Sequence, residues 1–145
     1  MTIEELLARE SIRDTLAQYN MAGDRFQVEN FIGVFTEDAI FEPGDMRMEG
    51  RDAIRAWLTG AKRAPGDVPR VKFVRHNLTT CLIKVTGPET AEARTYYTVL
   101  TDIGPDHCGY YVDQFRPVDG RWLISHRKVR QDWQSPDSIF ARQVR

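Results

Sequence analysis

The two side chains of this sequence best suited to do chemistry together are Asp24, just after an amphipathic first helix, and His76, on a long extended stretch further along. A carboxylate held against one ring nitrogen of an imidazole fixes its tautomer and balances the charge formed when the other nitrogen takes a proton. Such a pair is a general base with its orienting partner. Each residue also has a plainer role open to it. His76 could be a half-buried strand histidine bonded to backbone. Asp24 and Gln27 fit the D-x-x-Q form of a capping box, in which Asp24 would cap a second helix, worth about 1 kcal/mol.

Other residues could join the pair. Tyr19 lies at helical spacing from Ile12 and Leu16, so its ring belongs to the core and its buried hydroxyl needs a partner. Arg127 and Arg130 sit in the basic run Ser125-His126-Arg127-Lys128-Val129-Arg130. Such a run is normally a solvated face, and an arginine turned inward must either pair with an acid or bind an anionic substrate group. Side chains alternate along a strand, so without a bulge only one of the two can face inward. Asp113, on the preceding strand, is a candidate partner for it or a second acid of a pocket. A pocket for a ring-shaped substrate would draw on Trp57, Tyr97 and Phe35. His107 falls in the Gly104–Cys108 turn and is expected to be exposed.

The elements that must position these residues can be read from periodicity. Thr2 and Glu5 form a capping box. Ile3, Leu6, Leu7, Ile12, Leu16 and Tyr19 then recur at near-helical spacing, up to a stop near Gly23 in a left-handed conformation. A second helix begins at Asp24 or Gln27 and turns Phe31, Val34 and Phe35 to the core. Ala39–Glu42 reads as a short strand, and Arg51–Leu58 as a third helix with Ile54, Trp57 and Leu58 on one side. Gly60–Pro69 reads as a mobile loop. Four long strands follow: Val71–Val85, Ala91–Thr101, Gly109–Val118 and Arg121–Arg130. Their turns are Gly87-Pro88, Gly104-Pro105-Asp106 and Asp119-Gly120, the last a strong hairpin signal. The expected fold is α+β, a single domain over 1–145. Its curved antiparallel or mixed sheet forms a cone, with three N-terminal helices packed on the concave face.

The composition suits a soluble globular chain: 145 residues, 41% hydrophobic, 28% charged, net charge −1. Nothing points to nucleic acid or an anionic membrane as partner. No apolar run approaches the roughly 20 residues of a membrane span, and the acidic N-terminus is unlike a signal peptide. Cys81 and Cys108 are too few for a disulfide framework, which fits a cytoplasmic setting. There is no phosphate-binding glycine loop, no metal-ligand spacing among the histidines and cysteines, and no G-x-S-x-G elbow. An enzyme on this chain is expected to need neither metal nor cofactor.

Several segments taken together resemble the SnoaL-like branch of the nuclear transport factor 2-like superfamily, over nearly the whole chain. They are Arg9-Glu10-Ser11-Ile12-Arg13-Asp14 with Tyr19 and Asp24, Phe35-Thr36-Glu37-Asp38-Ala39, Gly50-Arg51-Asp52-Ala53-Ile54 and Arg75-His76-Asn77-Leu78. Tyr111-Val112-Asp113-Gln114-Phe115 and Asp119-Gly120-Arg121-Trp122 complete the set. That branch includes scytalone dehydratase, bile acid 7α-dehydratase and hexachlorocyclohexane dehydrochlorinase. The resemblance implies catalytic roles for Asp24, His76, Tyr19 and an arginine, Arg127 or Arg130. It also implies a cofactor-independent dehydratase-like lyase or an isomerase, acting on a small cyclic or polycyclic hydrophobic substrate. The same superfold hosts non-catalytic small subunits of ring-hydroxylating dioxygenases and ligand-binding modules. An epoxide hydrolase is a third option; it should place an arginine between two acids around a water, an arrangement that Arg94, Asp113 and the rest do not readily assemble. The outer face of so long a sheet is expected to be covered in a homodimer or higher homo-oligomer.

Overall fold

The computed structural model describes residues 1–60 and 71–140. All but the first residue of the stretch read as a mobile loop, Gly60–Pro69, lies outside the described residues. Three helices, α1 (Ile3–Asp24), α2 (Val28–Ile32) and α3 (Arg51–Thr59), accompany six strands. These are β1 (Phe35–Pro43), β2 (Met48–Glu49), β3 (Val74–Gly87), β4 (Thr90–Thr101), β5 (Gly104–Val118) and β6 (Arg121–Gln134). They form one sheet in the order β2-β1-β6-β5-β4-β3, antiparallel except for the parallel β1–β6 pair. The sheet is open and mixed, and every long strand pair carries a register shift. Each extra residue bends its strand and increases its twist, which curls the sheet into the α+β cone. Helix α1 lies across the inner face against β3 and β6. No helix among the described residues is long and apolar enough to cross a membrane.

Local chemistry accounts for most boundaries. Thr2 Oγ1 accepts from the Glu5 N–H at 3.1 Å, capping α1. The β5–β6 turn places Asp119 at φ 50° and Gly120 at φ 80°, the positive angles a two-residue hairpin turn demands. Along β4 the alternation is clean: Ala91, Ala93, Thr95, Tyr97 and Val99 are buried beneath the helices, and Tyr96 faces out.

Four expectations need correction. Helix α1 does not stop at a left-handed Gly23. It runs to Asp24, and the positive φ belongs to Phe26, at 55°. Ile3, Leu6 and Leu7 are 73%, 56% and 65% exposed, because at about 100° per residue they lie on the helix face away from the buried stripe Ala8, Ile12, Thr15, Leu16 and Tyr19. Phe35 opens strand β1 rather than closing a helix, although its ring is fully buried as expected. The turn between β4 and β5 is Asp102-Ile103, so Gly104-Pro105-Asp106 begins a strand and His107 lies on β5, with only 15% of its side chain exposed.

Candidate active site

The sheet register sets the site. His76 on β3 pairs with Val99 on β4, and Val99 pairs with His107 on β5. Directly paired residues share a face, so both imidazoles stand on the concave side, flanking the small Val99 side chain. Their ring centroids are 6.3 Å apart and nearly perpendicular. The Tyr97 ring lies next to both, 6.3 Å from His76 and 6.1 Å from His107.

Asp24 closes the end of α1 over His76. One carboxylate oxygen stands 2.5 Å from His76 Nδ1, and the other accepts the His76 backbone N–H at 2.9 Å. Gripping ring and backbone of the same residue fixes the ring's orientation. In the neutral ring a carboxylate at Nδ1 selects the tautomer with the proton on Nδ1 and Nε2 free to accept one. Asp24 does not cap α2: the residue at that position is Gln27, with no side-chain cap bond. The Asp24 side chain is 7% exposed and that of His76 27%, so the dyad sits at the rim of the cone with its imidazole open to approach.

The floor lies deeper. Arg127 is fully buried and grips Asp113 through two 2.7 Å bonds, Nε to Oδ1 and Nη2 to Oδ2. Its guanidinium lies 4.1 Å from the Tyr19 ring and 3.9 Å from the Tyr111 ring, two cation–π contacts with rings that meet each other edge to face. Burial alone would lower the Arg127 pKa, but Asp113 outweighs it and the net shift is upward. Burial raises Asp113 against the pull of Arg127. These shifts pull the pair in opposite senses. The bidentate geometry decides for a charged pair, since both carboxylate oxygens accept from a group that holds its protons. Arg127 Nη1 remains buried without a partner. Burial also raises the phenols of Tyr19 and Tyr111, with Arg127 opposing.

Of the other expected residues, Phe35 packs among Tyr19, Phe31 and Phe41, a filled ring cluster rather than an open wall. Trp57 meets Phe41 edge-on at 5.1 Å and is half-buried. Tyr97 stacks on Tyr111 at 4.8 Å, linking rim to floor, and its hydroxyl donates to the Arg130 carbonyl. Desolvation pushes the Tyr97 phenol well up. Arg130 does not join the site, because its guanidinium bonds the carbonyls of Glu42, Gly44 and Val129. Arg94 lies over Tyr110 on the outer face, opposite to Asp113, so the two cannot share a water as an epoxide hydrolase would require.

Sequence reasoning missed His107 and the acid behind it. Val99 pairs with His107 while Leu100 pairs with Pro105, so Asp106 is the extra residue of a bulge. Freed from the ladder, its carboxylate takes His107 Nδ1 at 2.7 Å, Ser138 Oγ at 2.6 Å and Thr101 Oγ1 at 3.2 Å. Burial lowers the His107 pKa, with Asp106 opposing and His76 adding to the depression. The adjacent Asp106-His107 letters were the available signal, obscured by the turn-like Gly104-Pro105.

Surface cavities of about 350, 580 and 460 Å³ lie elsewhere, at the α1–α2 junction, beside the N-terminal end of α1, and near the β5–β6 turn. None of the three is lined by Asp24 or His76. They carry no paired acid and base, so the oriented dyad marks the better candidate. Among the described residues, no group of three or more His, Cys, Asp or Glu could hold a metal ion.

A SnoaL-like domain model matches residues 4–128. No curated protein matches the chain. Among solved structures, it is similar to a protein provisionally named a scytalone dehydratase from Novosphingobium aromaticivorans, at 21% identity and TM-score 0.79 over 96% of this chain and 93% of that one. It is similar to hexachlorocyclohexane dehydrochlorinase type 3 from Novosphingobium barchaimii, at 16% identity and TM-score 0.76 over 92% of each chain. A third likeness is to the β subunit of an aromatic-ring-hydroxylating dioxygenase, provisionally so named, from N. aromaticivorans. It has 18% identity and TM-score 0.74, over 93% of this chain and 95% of that one. At these identities the likenesses establish a shared fold.

Proposed function

Because the chain belongs to the SnoaL-like domain family, we propose that it is a cofactor-independent lyase of dehydratase type, or an isomerase, acting on a small cyclic hydrophobic molecule. The observation that carries this reading is the Asp24 carboxylate on His76 Nδ1 at 2.5 Å, with the same carboxylate bonded to the His76 backbone. His76 Nε2 takes a proton from a substrate carbon, and Asp24 holds the positive charge that results. In a dehydration the C–H electron pair becomes the new double bond and the C–O bond breaks. The departing oxygen then takes its proton back from His76 and leaves as water. In an isomerisation the proton returns to a different carbon. His107, kept neutral by burial, accepts a hydrogen bond from a substrate hydroxyl at its bare Nε2 and orients the C–O bond. Arg127, wholly buried, acts on developing negative charge through its field and through Tyr19, not by direct contact. Half-buried Trp57 offers ring surface, whereas Tyr97 is buried against Tyr111 with its hydroxyl committed to a backbone carbonyl.

The test is a screen of cyclic β-hydroxyketones for dehydration, and of β,γ-unsaturated ketones for isomerisation, with wild type, His76→Gln and Asp24→Asn. Loss of a positioned general base lowers kcat by roughly 10²–10⁴-fold, so both variants should fall into that range on any substrate turned over. Equal turnover by wild type and His76→Gln would sink the reading.

The likeness to a dioxygenase β subunit favours a second reading, a non-catalytic partner subunit. It expects stable copurification with a larger oxygenase chain, undisturbed by His76→Gln.

A further inference from the structure

We propose that Ser138 is a positioning residue: the C-terminal segment Ser135–Phe140 forms a clasp that, through Asp106, sets the orientation and proton affinity of His107. The proposal rests on the reading that His107 faces the substrate.

The clasp is built on the bulge residue. Asp106 offers its carbonyl to the Ser135 N–H at 2.7 Å and its Oδ1 to Ser138 Oγ at 2.6 Å. Ser138 Oγ in turn accepts from Phe140 N–H at 3.1 Å and from Gln134 Nε2 at 3.3 Å, and Ser138 is 1% exposed. The segment is therefore tied to Asp106 at two points, its backbone carbonyl and its carboxylate, the second through the Ser138 hydroxyl. That same Oδ1 is the atom bonded to His107 Nδ1. The clasp ends with the Phe140 ring against the His107 ring, centroids 5.4 Å apart at 72°.

Two effects follow, with one sign. The Ser138 hydroxyl shares the oxygen that His107 uses, which draws electron density from the acceptor of the imidazolium charge. Phe140 keeps water from the ring, which disfavours its charged form. Both keep His107 neutral at neutral pH, the state that can accept a substrate proton or hydroxyl. The groups facing the ring are consistent with this. Asp106 on its own strand favours the cation, His76 on β3 with Asp24 behind it lies across the row, Tyr97 comes from β4, Phe140 from the clasp, and uncharged Gln134 is its β6 partner.

The experiment follows the three histidine rings of the full chain by NMR with ¹⁵N-histidine, titrating wild type, Ser138→Ala and Ser138→Thr without substrate. The expected result is a rise of about one unit in the His107 pKa in Ser138→Ala, the scale of one lost hydrogen bond to a charged group. Ser138→Thr, which keeps the hydroxyl, should titrate like wild type, and His76 should move little in either. A folded Ser138→Ala whose His107 titration superimposes on wild type overturns the proposal. Should Ser138→Ala not fold, Phe140→Ala takes its place: the exposed ring should again titrate higher, and an unchanged titration overturns the proposal equally. No substrate enters the measurement, so a failed activity screen and a failed clasp are separate outcomes.

Discussion

The floor and the rim of the cone are made of the same ingredients, a nitrogen base against a carboxylate, and differ in what surrounds them. On the floor, Arg127 and Asp113 are wholly buried, bonded twice and roofed by two tyrosine rings. At the rim, Asp24–His76 and Asp106–His107 each pair a buried acid with an imidazole that keeps part of its surface free. Burial separates the two. A guanidinium that never loses its proton serves as a fixed charge, whereas a part-exposed imidazole can exchange its proton with whatever reaches it. The covered faces also differ in redundancy. The floor cannot lose one partner without stranding the other, but the rim can.

The largest expected effect breaks the floor. Arg127→Met leaves the Asp113 carboxylate buried beneath Tyr19 with no counter-charge. The expected loss is about 3–5 kcal/mol of unfolding free energy, measured by urea denaturation. Adding Asp113→Leu should recover most of it, since replacing both members of a buried pair by apolar groups is often neutral. A single Arg127→Met variant as stable as wild type would place the floor with the rim and end the contrast. At the rim, His76→Gln should cost little stability, because the half-exposed ring strands no buried charge except Asp24, whose second oxygen keeps the His76 backbone N–H.

A smaller effect sharpens the contrast through pH. The folded-state pKa of His107 lies below its ordinary value of 6.5. Between 6.5 and that lower value, the unfolded chain binds the proton and the folded chain does not, so stability falls as pH falls through this window. Above it the contribution is fully present, and below it the loss is complete and flat. One proton bounds the slope at about 1.4 kcal/mol per pH unit. His107→Gln should remove that part of the slope in unfolding measurements between pH 7 and 5. A variant with the same slope as wild type would show that the ring is not held neutral.

Much of this architecture is legible in the chain. Alternation in β4 sorts Tyr97 from Tyr96 and the Asp119-Gly120 pair marks its turn, but it takes the family resemblance to join Asp24 to His76, since each residue alone has a plainer role open to it. Parity allows one inward arginine of two, but it takes the partner Asp113, in register on β5, to select Arg127 over Arg130. What escaped reading depends on bulges. The extra residue of a bulge has no compositional mark, because its identity matters less than the twist the sheet needs at that point. Asp106 therefore looked like part of a turn, and moving the turn to Asp102-Ile103 is what brings His107 inside. The exposure of Ile3, Leu6 and Leu7 escaped for another reason: they are apolar but out of phase with the Ala8–Ile12–Leu16–Tyr19 stripe that meets the sheet.

The smallest effect comes from the third histidine pair, which serves as the control for both regions. His126 Nε2 lies 2.5 Å from Glu42 Oε2, and the bond holds the Glu42 carboxyl below its ordinary value. This pair is as short as Asp24–His76, yet both its members are half-buried, and Arg47 also stands at Glu42, 3.5 Å away. His126 pairs with Gln114, whose side chain is exposed, so the imidazole belongs to the outer face of the sheet. Water screens such a pair, and its removal is worth about 0–1 kcal/mol. His126→Gln should therefore leave activity unchanged and shift unfolding by less than about 1 kcal/mol, as read from the denaturant midpoint. Its contribution should show at pH values above the ordinary carboxyl range and fade as Glu42 is protonated, since a depressed carboxyl pKa stabilises the fold only while the group is ionised. If His126→Gln lowered turnover as far as His76→Gln is expected to, a short histidine–carboxylate contact would be sufficient wherever it lay, and the placement of the rim pairs on the concave face would explain nothing.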